Sequence, residues 1–336
     1  MNAARSNIGF QAQVLAIGAV LMAIKFVAWR ITHSNTILSD ALESIVNVVA
    51  GAFALYSLVL AAKPRDREHP YGHGKVEFIS AGIEGILVVL AGVLIIWRAV
   101  KALLEHQHLH DLDTGILLTG AAGAINLIMG LSLQRRGKKA RSITMEASGA
   151  HLLSDAWSTV AMLVGLVLIR LTGLLWLDQL FAILFAIYII VTGLRIFRRS
   201  VAGIMDEADV EAASTVIELL EAHRKPQWVD IHNFRIIKYG SVLHIDCHAT
   251  LPWYYSLEDA HAEISAMERL VNERHEQDLE LFIHMDPCIP SSCGICQVES
   301  CPQRNAPFRE RITWDPGTVL ANAKHGSQPS EANSPS

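Results

Sequence analysis

Residues 143–171 read ITMEASGAHLLSDAWSTVAMLVGLVLIRL, an apolar run that nonetheless carries His151 and Asp155 four residues apart. About 20 mostly apolar residues cross a hydrocarbon core of roughly 30 Å, so the run predicts a spanning helix. An ionisable side chain at the bilayer centre is costly and is kept for a pathway or a partner. The spacing of His151 and Asp155 puts both on one helix face. Working outward, five further runs have the same length: Phe10–Ile31, Thr36–Ala61, Phe78–Leu103, Thr114–Leu133 and Trp176–Phe197. Together they predict an all-α, six-helix transmembrane domain over residues 10–199, after a cytosolic N-terminus at 1–9 and before a linker at 200–209. No small-residue cleavage site follows the first run, so it is expected to remain as a span rather than be removed as a signal peptide.

The composition agrees with this division. Of 336 residues, 51% are hydrophobic and 18% charged, with a mean hydropathy of +0.31. That is more apolar material than a soluble domain carries, and it lies before Arg199, whereas charges return from Asp206 onward. A net charge of −5 without a basic patch, a Gly-rich phosphate loop or a Ser/His/Asp set excludes nucleic-acid partners and the matching enzyme classes. One side of the membrane collects Arg5, then Lys63, Arg65, Arg67 and Lys75, then Arg135, Arg136, Lys138, Lys139 and Arg141, then Arg195, Arg198 and Arg199. The other has Arg30, Arg98, Lys101, Arg170 and a loop with His106, His108 and His110. By the positive-inside rule both termini are cytosolic in a multi-pass plasma-membrane protein, at the inner membrane of a bacterium.

In the second run Glu43 and Asn47 also lie four residues apart. Glu43, Asn47, His151 and Asp155 offer four N/O donors, which suits a four-coordinate divalent ion; imidazole favours Zn, Fe, Co or Ni, and carboxylates accept Mn. Hydrogen bonding between packed helices is the alternative. The loop after the second run holds Asp66, His69 and His73, with Glu68 nearby, able to wrap one ion; His69–Pro70 could instead shape a turn. Among other intramembrane charges, Lys25 can snorkel, Asp40 fits the outer mouth of a pathway, and Asp40 or Glu84 fits a packing partner for Lys25.

From Val210 the pattern reads helix to His223, strand Val229–Lys238, strand Val242–Thr250, helix Leu257–His275 and strand Leu279–Asp286, a small α+β domain over 210–287. The second helix has a stripe of Leu257, Ala260, Ile264, Met267 and Val271, with Ser256 as N-cap and Asp259 three residues on. Strand alternation puts His244, Asp246 and His248 on one face, and His284 and Asp286 on one face. With His232 and His261 these are donors for one or two ions, or else a solvated polar sheet face. Cys288, Cys293, Cys296 and Cys301, spaced C-x4-C-x2-C-x4-C within 288–304, predict a structural tetrathiolate zinc site in a reducing cytosol, with an iron–sulfur cluster as the alternative. Cys247 stands alone on the core face of its strand. Residues 305–336 are polar and Pro-, Ser- and Asn-bearing, and are expected to be disordered.

Five stretches, SDALESIVN (39–47), EHPYGHGKVE (68–77), AHLLSDAWS (150–158), IMDEAD (204–209) and HMDPC (284–288), resemble motifs of the cation diffusion facilitator family of divalent metal transporters, covering roughly residues 10 to 288. The resemblance implies a transport site of Glu43, Asn47, His151 and Asp155, a loop site of Asp66, His69 and His73, and cytosolic ligands at His232, His261, His284 and Asp286, with Asp246 and His248 sharing a further position. It also implies a ferredoxin-like, metallochaperone-like cytosolic domain, a homodimer, a Lys75–Asp206 pair that ties the membrane half to the cytosolic half, and regulation by metal binding that tightens the dimer. The implied activity is efflux of a transition-metal cation in exchange for protons, zinc leading, with iron, manganese, cadmium or cobalt as alternatives. Three positions depart from the family pattern: Glu43 stands where Asp or His is usual, Asn47 where Asp is usual, leaving one carboxylate fewer, and Asp246 where His is often found. A non-transporting membrane metal sensor is the competing class; a metalloenzyme would need a further general base that the spans lack.

Overall fold

The computed structural model describes residues 2–32, 35–105, 112–172, 176–240, 242–274 and 279–325. The chain separates into two compact units, 1–205 and 206–336.

Among its described residues the first unit holds six long helices: α1 (Asn2–Thr32), α2 (Asn35–Ala61), α3 (Val76–Glu105), α4 (Leu112–Ala140), α5 (Ile143–Thr172) and α6 (Trp176–Ile204). The shortest, α2, has 27 residues; at 1.5 Å per residue it is about 40 Å long, more than a hydrocarbon core requires. The helices outrun the apolar stretches that announced them. Helix α4 continues through Lys138 and Lys139 in its last turn, because Lys and Arg propagate a helix well even where they end an apolar run. Among the described residues, Ser6–Val27 and Val76–Lys101 are long and apolar enough by themselves to cross a membrane.

The tightest neighbours are α3 with α6, α4 with α5, and α1 with α2. The α4–α5 contact is nearly backbone to backbone at Gly149, where an added Cβ would lie 2.8 Å from the Gln134 amide nitrogen and 3.0 Å from the Gly130 carbonyl oxygen. Small residues permit such an approach, and this one seats the His151 turn of α5 against α4. Large apolar side chains such as Val20, Val49, Leu90, Trp97 and Ile128 are exposed on the outside of the unit, as a lipid-facing surface requires.

The second unit runs α7 (Val210–Ala222), β1 (Asp230–Tyr239), β2 (Val242–Leu251), α8 (Leu257–Arg274), β3 (Leu279–Pro287), a 3-10 turn (Pro290–Gly294) and α9 (Pro316–Val319). The sheet order is β1-β2-β3, with β1 and β2 antiparallel and β2 and β3 parallel. Helix α7 buries Ala213, Val216, Ile217 and Leu220 along one face, and α8 buries Ile264, Met267 and Val271. Both cover the apolar side of the sheet, which includes Phe234, Ile236, Leu243, Ile245 and Cys247. Ser256 and Asp259 form the expected reciprocal cap, with Asp259 N–H donating to Ser256 Oγ at 3.1 Å and Ser256 N–H to Asp259 Oδ2 at 3.3 Å. Leu257, placed in the apolar stripe by spacing, is 77% exposed, because the first helical position precedes the turn that meets the core.

The tail corrects the expectation of disorder over 305–336. Residues 305–325 are folded onto the unit, while 326–336 lie outside the described residues. Trp314 and Val319 join the hydrophobic core. The Arg224 guanidinium stacks 3.9 Å from the Trp314 ring centroid and donates to the Ile312 and Val229 carbonyls, each at 2.6 Å. A β-bulge between His232 and Arg235 leaves Asn233 in the left-handed region at φ 51°, and its N–H donates to the Ala321 carbonyl at 2.8 Å. Two apolar anchors in a polar stretch are invisible to average composition, which is why the strap reads as disordered. Trp314→Ala is expected to cost about 3–5 kcal/mol by the usual cost of emptying an aromatic core site. Hydrogen exchange on the full chain should then show the Asn233 amide losing its protection.

Candidate metal sites

The first site lies inside the first unit, between α2 and α5. His151 Nε2 is 2.8 Å from Asn47 Oδ1, and Asn47 Nδ2 donates to Asp155 Oδ2 at 2.7 Å. One helical face of α5 thus presents an imidazole and a carboxylate, and the Asn47 amide of α2 bridges them. Each polar group in this apolar setting satisfies another. A divalent ion would take the Asn47 oxygen, an Asp155 oxygen and the His151 nitrogen lone pair, so binding requires neutral imidazole. The side chains of Glu43 and Asp40 lie outside the described residues, as do His106, His108 and His110. Lys25 Nζ donates to Ser44 Oγ at 3.0 Å. Glu84, weighed as its partner, is instead bonded by Ser148 Oγ at 2.7 Å.

The second site is the α2–α3 loop. Asp66 Oδ1 accepts from the His69 and Glu68 amides at 2.7 and 3.0 Å and lies 3.1 Å from His69 Nδ1; its Oδ2 lies 3.3 Å from His73 Nε2. The three ligand atoms fall within 4.8 Å of one another. The His69 amide, opposed by slight desolvation, holds the Asp66 carboxyl below its ordinary range, so the group is an anion ready for a cation. The loop is a turn and a donor set at once, which reconciles the two readings of His69–Pro70.

The third site follows from strand register. His232 pairs with His248 across β1 and β2, and His248 with His284 across β2 and β3, which aligns three imidazoles on one face of the sheet. Their ring centroids are 5.2 and 4.6 Å apart in succession. Asp286, two residues beyond His284 on the same face, joins them. Its Oδ2 lies 3.2 Å from His232 Nε2 and 3.3 Å from His248 Nδ1, and its Oδ1 lies 3.0 Å from His284 Nδ1. Burial alone would raise the Asp286 carboxyl, but His232, Lys324 and His248 outweigh it and keep it well below the carboxylate range. Burial pushes His248 down, toward the neutral form that binds metal. Since its two oxygens serve different histidines, Asp286 can bridge two ions.

Two expected ligands are not brought to this group. Asp246 is exposed and opposite Arg235, because the bulge shifts β1 between His232 and Arg235. His261 is exposed on α8. His244 is buried 3.1 Å from Glu280, a pair separate from the Asp286 group. Three residues that sequence reading passed over do belong to the group's surroundings. Lys324 Nζ sits 3.2 Å from Asp286 Oδ2, and His325 Nδ1 lies 2.6 Å from Asp230 Oδ1, whose other oxygen is 3.5 Å from His232 Nδ1. Alternation along β1 places Asp230 on the face of His232; nothing local in the tail announces Lys324 or His325.

Known proteins share this arrangement of parts. Residues 13–205 match the cation efflux transmembrane domain, and residues 208–288 match the cytoplasmic domain of cation efflux proteins. The chain belongs to the cation efflux family. Members of this family, also called cation diffusion facilitators, are membrane-embedded divalent metal transporters and not enzymes, and the cytoplasmic domain is one that dimerises. An uncharacterised transporter of Synechocystis is 36% identical over 263 residues, covering 78% of this chain and 85% of the relative. The cation-efflux pump FieF of Shewanella oneidensis is 28% identical over 81% of this chain and 91% of its own length. The manganese efflux system protein MneS of Bacillus subtilis is 26% identical over 81% and 93%.

The family match ends at residue 288, so most of the cysteine segment and all of the strap lie beyond it. All five cysteines are free thiols. Cys288 Sγ accepts from the Trp253 amide and Cys293 Sγ from the Asn305 amide, both at 3.4 Å; Cys296 is near the Val298 amide and Cys301 near the Tyr254 hydroxyl. The four thiols are close enough that each other's charge raises Cys288, after burial, its main cause. No three sulfurs lie within 4.8 Å of one another. Burial pushes Cys247 up to about 12, which makes it an inert core residue. Arg304 fixes the loop through the carbonyls of Cys293, Cys296 and Val298 at 3.1, 3.0 and 2.6 Å. Removing these bonds by Arg304→Ala should speed alkylation of Cys293 and Cys296 about tenfold or more, measured by mass spectrometry on the native protein.

Proposed function

We propose that this cation efflux protein exports divalent transition-metal ions from the cytosol, zinc first, by exchange with protons at Glu43, Asn47, His151 and Asp155. The carrying observation is the imidazole–amide–carboxylate chain joining α2 to α5. Such a chain replaces by internal hydrogen bonds what a bound ion would otherwise satisfy, and it can be opened by one. Binding takes the imidazole neutral, so an acidic far side returns a proton to His151 and releases the ion there. Rocking of the six spanning helices, with both termini in the cytosol, would present the site to each side in turn. Imidazole with one described carboxylate favours zinc or iron over the hardest ions, while the relative named for manganese efflux keeps manganese as alternative cargo.

The remaining parts fit regulation. The Asp66, His69 and His73 loop and the His232, His248, His284 and Asp286 group bind cytosolic metal, in a ferredoxin-like domain whose dimer tightens on loading, with Lys75 and Asp206 tying the membrane half to it. Cys288, Cys293, Cys296 and Cys301 hold a structural zinc ion that staples the strap. Support for this zinc is the spacing of the four cysteines and the amide or hydroxyl donor beside each sulfur, which opposes the burial that raises Cys288 and Cys296.

Full-length protein in proteoliposomes under a pH gradient should take up zinc, and Asp155→Ala should lower that flux by about 100-fold, the scale expected from removing a ligand in a low-dielectric site. Tight cytosolic binding without flux of zinc, iron, manganese, cobalt or cadmium would identify a sensor instead. At the cytosolic group the Lys324 ammonium occupies the flank of Asp286 that a metal needs. Lys324→Ala is therefore expected to tighten metal binding there by roughly five- to tenfold, the worth of a charge-assisted contact, in a competition titration with a chromophoric chelator.

A further inference from the structure

A cavity of about 50 Å³ opens within the first unit; its polar lining is Gln11, Asn47, Glu84, Ser148 and His151, and the rest of its wall is apolar or glycine. Asn47 and His151 belong to the transport site, but Glu84, Gln11 and Ser148 do not. Ser148 Oγ donates to Glu84 Oε1 at 2.7 Å and lies 3.5 Å from Gln11 Nε2. That leaves Glu84 Oε2 and Gln11 Oε1 buried without a hydrogen-bond partner, in side chains only 2% and 1% exposed. A carboxylate oxygen and an amide oxygen left bare at membrane depth each cost several kcal/mol unless a cation or proton meets them. The cavity is roomier than the ~30 Å³ share of one water molecule. Two bare oxygens, one of a carboxyl and one of an amide, belong to side chains that line a space able to take a small cation.

We propose that Glu84, with Gln11 and Ser148, forms a second cation station in the membrane, one that a transported cation occupies next to the four-ligand site. Its place follows from the helices. Ser148 precedes His151 by three residues on α5, a rise of about 4.5 Å, toward the Ile143 end that the transport reading assigns to the cytosol. The station therefore lies on the cytosolic approach, and in this it rests on that reading. Oxygen-only donors accept hard cations, a partly hydrated divalent ion or a proton, and discriminate against soft ones. The other ionisable group lining the cavity is His151, with Asp155 one turn further along α5. Glu84 contacts neither through a hydrogen bond, so a cation can reside at Glu84 and move to His151 as a distinct step.

Glu84→Gln keeps the shape and the acceptor for Ser148 while removing the ionisable carboxyl, and it is compared with wild type as full-length protein in proteoliposomes. One arm drives zinc uptake by a zinc gradient at equal pH on both sides; the other adds a pH gradient. A metal station gives an apparent KM raised about tenfold in both arms with kcat unchanged. A proton station gives unchanged uptake in the first arm and loss of the acceleration in the second. Either result supports the proposal. Uptake equal to wild type in both arms overturns it, as does a proportional loss of kcat and of equilibrium zinc binding at the four-ligand site, which would make Glu84 a support for that site only. Should Glu84→Gln fail to fold, Gln11→Leu removes the other bare oxygen and is judged by the same outcomes. Wild-type protein without flux overturns the transport reading and the station together, whereas wild-type flux with an unaltered variant overturns the station alone.

Discussion

Hydrocarbon offers no partner to a polar group, and the arrangement of the membrane unit follows from that constraint. Asn47, His151 and Asp155 are tolerable only because each bonds another, and the bonds run between α2 and α5 rather than along either helix. The two helices must therefore meet at one depth and one rotation. Gly149 sets the same turn of α5 against the α4 backbone, so the face bearing His151 and Asp155 cannot rotate away. Specificity of packing and capacity for an ion come from the same few atoms.

In the second unit the corresponding constraint is strand register. A shift of one residue in β2 would turn His248 away from His232 and His284 and send Cys247 out of the core. Alternation of apolar and polar residues thus fixes the ligands and the hydrophobic face together. The bulge at Asn233 adds what alternation cannot: it frees one amide to hold Ala321, and this contact sets the end of the strap beside Asp286 and Asp230.

Much of this was legible in the sequence because it is periodic. The apolar runs, the spacing of four between paired donors, and the α-β-β-α-β order all repeat at the period of a helix or a strand, and the motifs around Glu43, His73, His151 and Asp286 carried the family. What escaped had no period. Trp314 and Val319 are single anchors in a polar stretch, and Lys324 finds Asp286 only after about 37 intervening residues have folded back, a contact no local propensity encodes. Asp246 keeps the His248 face that alternation along β2 assigns it, but the bulge in β1 sets Arg235 opposite it, and no spacing within β2 announces that neighbour. Glu84 lies on α3, far in sequence from Ser148 and Gln11, and no spacing rule connects it to either.

In both units a protein group stands where an ion would bind. The Asn47 amide bridges His151 and Asp155, and the Lys324 ammonium flanks Asp286. Metal binding is then an exchange of partners, and its net free energy is the metal–ligand attraction less the hydrogen bonds and ion pairs given up. A cage built solely for the ion would bind more tightly and release more slowly. For a carrier that must let go of its cargo on every cycle, self-satisfied ligands lower the barrier to release, since the protein atoms have somewhere to return when the ion leaves.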